Sequence, residues 1–346
     1  MYKQIIKDLL VPKLSRGVFS AIAEKIVGVG IPIFMLHQIY PDNTSGNKLT
    51  PAYLRSALRY LKQHKFNFVS VTDIVLSMKN NRPLPPKSVA FTIDDGFVDQ
   101  ATIAAPIFIE FKCPVTIFLI TGFIDSQLWP WFSKVSYLLR ETEIRSFVYP
   151  IGESKYSYSL NSEKDRRSAM WDIQKLLKLL PWDSVEQAIN TLAEITQIKL
   201  PVEPPEGFRP ISWSQARKLE ETGIVSFGPH TVSHPILSRV SDEQSHEEIN
   251  LSWEKLKHEL QNPCPIFCYP NGTATDFGKR EIEIIKKTDM LGALSTIHSQ
   301  LQVQTFTDNS EVMFSLPRYS LPTNFNDLIM YSSWIELAKE KFCNRK

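Results

Sequence analysis

Residues Val89–Phe97 have the sequence VAFTIDDGF, and this stretch decides the fold class. A nearly continuous apolar run leads straight into Asp94, Asp95 and Gly96. Such runs are typical of parallel strands that are covered on both faces. Two adjacent carboxylates at a strand end are costly without a compensating cation, and a bound divalent ion would remove that cost. A plain turn is the alternative, because Asp and Gly favour turns.

Apolar runs of the same kind recur along the chain and alternate with helical patterns. The further predicted strands are Pro32–Leu36, Phe68–Val71, Val115–Ile120, Ile224–Phe227, Ile266–Tyr269 and Gly292–Ser295. The predicted helices between them are Thr50–His64, Ser212–Thr222, Ser241–Gln261 and Asp276–Asp289. This alternation predicts an α/β fold with about seven parallel strands, arranged as a barrel or a barrel-like sheet. In such folds the functional residues lie where strands end.

The predicted domain is residues 31–325, with one interruption. Residues from about 129 to 210 show little strand character, and helical patterns such as Glu163–Leu180 and Ser184–Thr196 dominate them. The stretch closes with the proline-rich PVEPPEGFRP, so we expect a helical insertion. We also expect an N-terminal helical extension at residues 1–30, which rests on a membrane or on the domain itself, and a C-terminal helix at residues 326–346.

The bulk composition excludes several classes of protein. The 346 residues include 39 Lys and Arg against 37 Asp and Glu, so no basic patch for nucleic acid is indicated. The four cysteines (Cys113, Cys264, Cys268 and Cys343) are interpreted as buried thiols of a reducing compartment. The first long apolar run, Ile26–Leu36, is too short to cross a bilayer, and no secretory signal is evident. We expect a cytoplasmic protein, with peripheral association with the inner membrane left open.

A second polar segment, SFGPHTVSHP at Ser226–Pro235, follows another predicted strand. His230 and His234 are four residues apart, and helical spacing would put both imidazoles on one face, where they could share a metal. Two histidines and one carboxylate form a triad that leaves coordination positions open. Combined with Asp94 and Asp95, the set provides three ligands and one free carboxylate as a base. Alone, the histidine pair could be a coincidence of spacing.

Three further motifs lie at predicted strand ends or near the C-terminus. In PIFCYPNG, a backbone N–H at Tyr269 could stabilise an oxyanion, although an ordinary loop gives the same pattern. His37 ends the strand in PIFMLHQIY and could instead be a core histidine with its bonds satisfied. Arg318 in SLPRYSLP could pair with a carboxylate, whereas a surface arginine is the default interpretation.

These motifs, in this order, resemble the polysaccharide deacetylase family with the NodB homology domain, carbohydrate esterase family 4. The resemblance covers roughly residues 31–322 apart from the insertion. Within the family, the chain looks most like the bacterial exopolysaccharide group, which includes the poly-N-acetylglucosamine deacetylases. It runs through IPIFMLH, FTIDDGFVDQ, CPVTIFLITGFI, ISWSQARKLEETGIVSFGPHTVSHPILS, FCYPNGTATDFG and FSLPRYSLP. The resemblance implies a deformed (β/α) barrel.

The resemblance also implies roles for individual residues. Asp94 would be the general base, and the metal ligands would be Asp95, His230 and His234. The metal is usually zinc, and cobalt, nickel or iron would also suit these ligands. The backbone N–H of Tyr269 would help to stabilise the oxyanion, and a histidine would protonate the leaving amine.

The choice of that histidine follows from a rearrangement of the family's motifs. Many members carry the acid late in the chain, and His298 is the late candidate here. The FMLH segment has the same apolar form at the start of this chain, so His37 is the predicted acid and His298 the runner-up. Another departure is Cys268, which occupies the position of an arginine in many members. We expect Arg318 to orient Asp94 instead, because a guanidinium fits a carboxylate with two bonds.

The predicted function is metal-dependent hydrolysis of N-acetyl groups from N-acetylhexosamine units of a polysaccharide or glycan precursor. One alternative is a deacylase of a lipid-linked amino sugar or another small amide. The other is a catalytically silent glycan-binding protein, which would have no need of a free carboxylate beside a metal. Trp129 and Trp131 in the insertion could stack on sugar rings or pin the insertion to the barrel.

Overall fold

The computed structural model describes residues 11, 13–15, 17–28, 30–42, 48–302 and 311–343. Of the predicted N-terminal extension, residues 1–10, 12, 16 and 29 lie outside the described residues, and the described part contains the helix at Gly17–Val27. Among the described helices, none combines the length and apolar character needed to cross a bilayer.

The strands, in chain order, are β1 (Ile33–Leu36), β2 (Asn67–Phe68), β3 (Ser88–Asp95), β4 (Val115–Leu119), β5 (Ser146–Ile151), β6 (Ser154–Ser159), β7 (Val225–Pro229), β8 (Ile266–Cys268), β9 (Gly292–Leu294) and β10 (Tyr319–Ser320). The α-helices are α1 (Gly17–Val27), α2 (Pro51–Gln63), α3 (Val71–Lys79), α4 (Ala105–Phe111), α5 (Thr121–Ile124), α6 (Trp131–Glu141), α7 (Glu163–Leu177), α8 (Trp182–Thr196), α9 (Trp213–Glu220), α10 (Asp242–Glu259), α11 (Lys279–Lys286), α12 (Phe325–Tyr331) and α13 (Trp334–Cys343). A π-helical turn, Gln100–Ala104, precedes α4.

Parallel strands form a ring around the core. One sheet has the order β10-β1-β3-β4-β7, and β8 pairs with β9 in a second. Two seams join the sheets: the Cys264 N–H donates to Phe227 O at 2.7 Å, and the Leu316 N–H donates to Ala293 O at 2.9 Å. The predicted deformed barrel is confirmed. Two details differ from the expectation. The strand β2 pairs with β3 outside the ring, and β10, which was not predicted, completes the ring.

The strand that carries the two aspartates is buried along its whole length. Each residue of β3 is buried, including the two aspartates at its end. The helices pack on the outside as the sequence predicts. Thr50 caps α2 by accepting the Tyr53 N–H, and this helix buries Leu54 and Leu58 against the barrel. Burial of each such leucine contributes about 1.5–3 kcal/mol.

The insertion has its own apolar core and is not wholly helical. Its helices α6, α7 and α8 enclose buried residues such as Val135, Ile173 and Ile189. The strands β5 and β6 form an antiparallel hairpin there, which the sequence analysis missed. The sequence carried a signal in Ser154–Ser159, where Tyr156 and Tyr158 alternate with polar residues, the pattern of a half-buried strand.

The predicted C-terminal helix is also divided. The structure has α12 and α13 where one helix was expected, and Ser333 lies between them. Its hydroxyl donates to Met330 O at 3.0 Å and accepts the Ile335 N–H at 3.4 Å. A serine that bonds to the backbone in this way ends one helix and begins the next.

Candidate active site

The carboxyl end of β3 places Asp94 and Asp95 at the rim of the barrel. The chain turns sharply there, with φ of 91° at Asp95 and 88° at Gly96. A Cβ added at Gly96 would lie 2.8 Å from Ile124 Cδ1 and 2.9 Å from Leu119 Cδ2. Only glycine satisfies both demands, since other residues resist this φ and the space is already filled.

Arg318 and Asp94 form a buried ion pair with two hydrogen bonds. Nη1 donates to Oδ1 at 2.8 Å and Nη2 donates to Oδ2 at 2.9 Å. The Arg318 side chain is fully inaccessible, and its Nε also donates to Ser295 O at 2.9 Å. The default interpretation of Arg318 as a surface residue is therefore wrong, and the structure places its guanidinium where it can orient Asp94.

The arginine determines the charge state of Asp94. Burial alone would raise the pKa of this carboxyl, but Arg318, followed by His230 and His37, holds it well below its usual range. Asp94 is therefore ionised at neutral pH. Each carboxylate oxygen that accepts one bond from Arg318 retains capacity to accept another.

Asp95 converges with the two histidines of the second motif. Its Oδ1 lies 3.7 Å from His230 Nε2 and 3.7 Å from His234 Nε2, and all three side chains are buried. Donor atoms that share one zinc ion, with bonds of about 2.0–2.2 Å, lie roughly 3.4 Å apart in a tetrahedral site. The two distances from Asp95 therefore fit a single metal after a shift of a few tenths of an ångström.

A loop, and not a helix, brings the two histidines together. The prediction that they lie on one face of a helix is therefore wrong, although they do converge. Residues 230–235 have no helical structure. Thr231 has φ of 67° and His234 has φ of 62°, both in the left-handed region. These two backbone reversals turn the imidazoles toward Asp95.

The protonation states suit metal ligands. His230 Nδ1 lies 2.7 Å from Cys268 O, and since a carbonyl only accepts, Nδ1 carries the proton and Nε2 presents a lone pair. Burial lowers the pKa of His230 to about 4 and that of His234 well below its ordinary value. His234 Nδ1 is buried with no hydrogen-bond partner among the described residues.

The electrostatics of Asp95 also favour a cation. Burial first, and the Asp94 charge second, raise the pKa of Asp95 well above its ordinary value. A second carboxylate in this position is costly when ionised, and a dication would offset that cost. The three side chains thus fit a divalent metal in number, donor type and charge.

His37 lies at the mouth of the site. Its Nε2 is 4.0 Å from Asp94 Oδ2, and half of its side chain is exposed. Desolvation by the surrounding protein lowers the pKa of His37; Asp94 opposes this shift, and the cations Arg318 and Lys178 add to it. Of the two candidate acids, His37 is the one beside Asp94.

The runner-up, His298, lies elsewhere. Its ring packs edge-on against Tyr319 at 4.5 Å and against Tyr331 at 5.1 Å between centroids. This position, on an aromatic group beside α12, gives His298 a packing role rather than a place in the site.

Two polar residues that position the rim were missed by the sequence analysis. Gln100, fully buried in the π-helical turn, donates to Asp94 O and to His37 O at 2.9 Å, and it accepts the Gly96 N–H at 3.0 Å. Asp99 accepts the Ile39 N–H at 2.9 Å. Both lie in the FTIDDGFVDQ motif, and π-helical turns often occur at functional sites.

The prediction for the Tyr269 N–H is wrong in this structure. That group donates to Leu294 O at 3.1 Å, continuing the β8–β9 ladder, so it is not free for an oxyanion. The Tyr269 ring points into the core and stacks on Phe277 at 3.9 Å. Beside it, Cys268 faces the site: its thiol accepts from Arg318 Nη2 at 3.1 Å and lies 3.6 Å from Asp94 Oδ2.

The expected burial of the cysteines is confirmed at three positions. Cys113, Cys264 and Cys268 are buried free thiols, and the side chain of Cys343 lies outside the described part of the chain.

The insertion forms one wall of the site. The Phe132 ring lies edge-on to His234 at 5.1 Å, and Lys178 Nζ donates to Asn271 Oδ1 at 2.5 Å, on the loop after β8. Trp129 is buried and stacks on Phe208 at 6.1 Å, while Trp131 is buried in the insertion core. Both tryptophans therefore pack within the protein and do not offer open faces to a sugar.

Comparisons with known proteins agree with this geometry. A sequence model described as polysaccharide deacetylase matches residues 81–290, more than half of the chain. No curated protein matches the chain. Among solved structures, the deacetylase PplD of Streptococcus pyogenes, determined with acetate, is similar with a TM-score of 0.57 at 17% identity, over 88% of this chain and 98% of that one.

Two other solved structures are similar. IcaB from Ammonifex degensii has a TM-score of 0.55 and 16% identity over 89% of this chain and 98% of its own. A de-N-acetylase from Aggregatibacter actinomycetemcomitans has a TM-score of 0.54 and 14% identity over 87% and 99%. At such identities these likenesses concern the fold alone, whereas the matched sequence model identifies the family. The chain belongs to the polysaccharide deacetylase family.

Proposed function

We propose that this chain removes N-acetyl groups from N-acetylhexosamine units of a polysaccharide or glycan precursor, with one divalent metal held by Asp95, His230 and His234. The observation that carries the proposal is the ionised Asp94, held by Arg318 beside three converging ligands. Membership of the family supports amide hydrolysis. The similar structures include proteins named as a deacetylase and a de-N-acetylase, which supports acetyl as the acyl group that is removed.

The residues divide the chemistry between them. When bound, the ion would polarise the acetyl carbonyl and lower the pKa of a water molecule, and zinc is the first choice for nitrogen and oxygen ligands, with cobalt, nickel and iron also suitable. Asp94 accepts the proton of the attacking water, since Arg318 keeps it ionised and fixed in orientation. His37, on the solvent side of Asp94, donates a proton to the departing amine.

The test is acetate release from short N-acetylglucosamine oligomers by zinc-loaded wild type and Asp94→Asn. We expect the variant to lose about 10²–10⁴-fold in kcat, the usual contribution of a general base, with unchanged zinc content. Asp183→Asn is the matched control, because Asp183 is an exposed carboxylate in the first turn of α8. It should release acetate at the wild-type rate.

Other outcomes would redirect the proposal. Release from N-formyl or lipid-linked amino sugars, with none from the oligomers, would replace the substrate and keep the chemistry. Zinc binding without release from any acylated substrate would indicate a glycan-binding protein. Equal rates for wild type and Asp94→Asn would refute the role of Asp94.

A further inference from the structure

Glu248 is a buried carboxylate that the proposed chemistry does not use. It lies on α10, and the residue is only 7% exposed. Its carboxylate faces the loop between His230 and His234. A buried charge is costly unless it is well bonded, so its partners indicate its role.

The carboxylate binds the residues between the two histidines. Oε2 accepts the Val232 N–H at 2.7 Å and the Ser233 N–H at 2.9 Å. Oε1 accepts the Ser233 hydroxyl. Hydrogen bonds to an ionised acceptor are roughly twice as strong as those between neutral groups.

The loop needs such external support. Thr231 adopts φ of 67° although it is β-branched, and His234 adopts 62°. Residues of this kind are strained in the left-handed region and persist where the surroundings fix them. The opposite side of the loop is fixed by backbone bonds: Thr231 O accepts the Thr121 N–H at 3.1 Å, and Val232 O accepts the Gly122 N–H at 2.9 Å.

We propose that Glu248 is a positioning residue for the metal site, which sets the separation of His230 and His234 by holding the loop between them. The inference rests on the metal role proposed above for these histidines. The hydrogen bonds of Glu248 go to Val232 and Ser233, so it acts on the two ligands through the backbone between them. Groups that orient metal ligands typically change metal affinity by about 10–100-fold when they are removed.

The test uses zinc affinity and the absorption spectrum of the cobalt-loaded full chain, both measured well below the melting temperature. Glu248→Asp keeps the charge but shortens the side chain by one methylene. Glu248→Gln keeps the reach, because its amide oxygen can accept both N–H groups and its NH2 can donate to the Ser233 hydroxyl. We expect Glu248→Asp to bind zinc about 10–100-fold more weakly, with an altered cobalt spectrum, and Glu248→Gln to stay within about tenfold of wild type.

Glu247→Asp is the matched control, since Glu247 is the preceding residue of α10 and is exposed. It should leave both measurements unchanged. Wild-type affinity and spectrum in Glu248→Asp would overturn the positioning role, as would a larger loss in Glu248→Gln than in Glu248→Asp. Failure of wild type itself to bind zinc would refute the proposed metal site, which is a different result.

Discussion

The barrel rim and the insertion bury different kinds of polar group. At the rim, Asp94, Asp95, His230 and Arg318 are all buried, and the Arg318 charge lowers the pKa of Asp94 while the Asp94 charge raises that of Asp95. Within residues 129–210, the buried polar side chains are neutral hydroxyls: Ser133, Thr142 and Thr196. The insertion is stabilised by an apolar cluster, whereas the rim combines structural bonds with groups that must remain available for chemistry. Substitutions at the rim should therefore cost more than matched substitutions in the insertion.

The largest contrast is expected for ion pairs. Arg318→Met leaves the Asp94 charge buried and unpaired, and removal of one partner of a buried pair typically costs about 3–5 kcal/mol of unfolding free energy. Lys134→Met is the counterpart in the insertion, where Lys134 pairs with both oxygens of a Glu186 side chain that is 58% exposed. Exposed pairs contribute about 0–1 kcal/mol. Urea unfolding of both variants measures the difference.

A double variant tests the cause of that loss. Asp94→Asn in the Arg318→Met background removes the unpaired charge, so part of the lost stability should return. Equal destabilisation by Arg318→Met and Lys134→Met would break the contrast between the two regions.

The sequence predicted the elements whose signal is local. The apolar runs and the two motifs located most strands of the ring, and with them the carboxylates and the histidines. The strand β10 was missed because two residues are too few for a pattern, although the motif SLPRYSLP around it was noticed. The hairpin in the insertion was missed because helical patterns on either side outweighed the short alternation of Tyr156 and Tyr158 with polar residues.

The remaining features depend on contacts distant in sequence. Arg318 and Asp94 are 224 positions apart, and no periodicity shows that the arginine is buried against this carboxylate. The bond from the Tyr269 N–H to Leu294 O depends on how β8 pairs with β9. The left-handed turns at Thr231 and His234 are unusual for these residue types, so spacing alone suggested a helix.

A smaller contrast is expected for two amides that bind backbone carbonyls. Gln100 donates to His37 O and Gln174 donates to Phe132 O at 3.0 Å. Gln100→Leu leaves these rim groups unsatisfied at a cost of about 1–3 kcal/mol and releases the backbone of His37. We expect kcat/KM for acetate release to fall roughly tenfold at unchanged zinc affinity. A tenfold fall corresponds to a loss of about 1.4 kcal/mol of transition-state stabilisation.

Gln174→Leu should lower kcat/KM less than Gln100→Leu does, because Gln174 binds the backbone of Phe132, whose ring lies edge-on to His234 at 5.1 Å. Most of the cost of this substitution should appear as a lower free energy of unfolding. A drop in kcat/KM of the same size in both variants would show that the insertion shapes the site as strongly as the rim does.

The smallest effect is expected at Lys178, which joins the two regions. Its bond to Asn271 Oδ1 contributes about 0.5–1.5 kcal/mol, so Lys178→Met should fold normally. The Lys178 charge is one of the causes that lower the pKa of His37, and its removal should raise that pKa. If protonated His37 is the acid, a higher pKa keeps it protonated further into the alkaline range, so the alkaline limb of kcat/KM should move to higher pH. Lys175→Met, on the exposed last turn of α7, should leave the profile in place. A shift to lower pH in Lys178→Met would contradict the assignment of His37 as the acid.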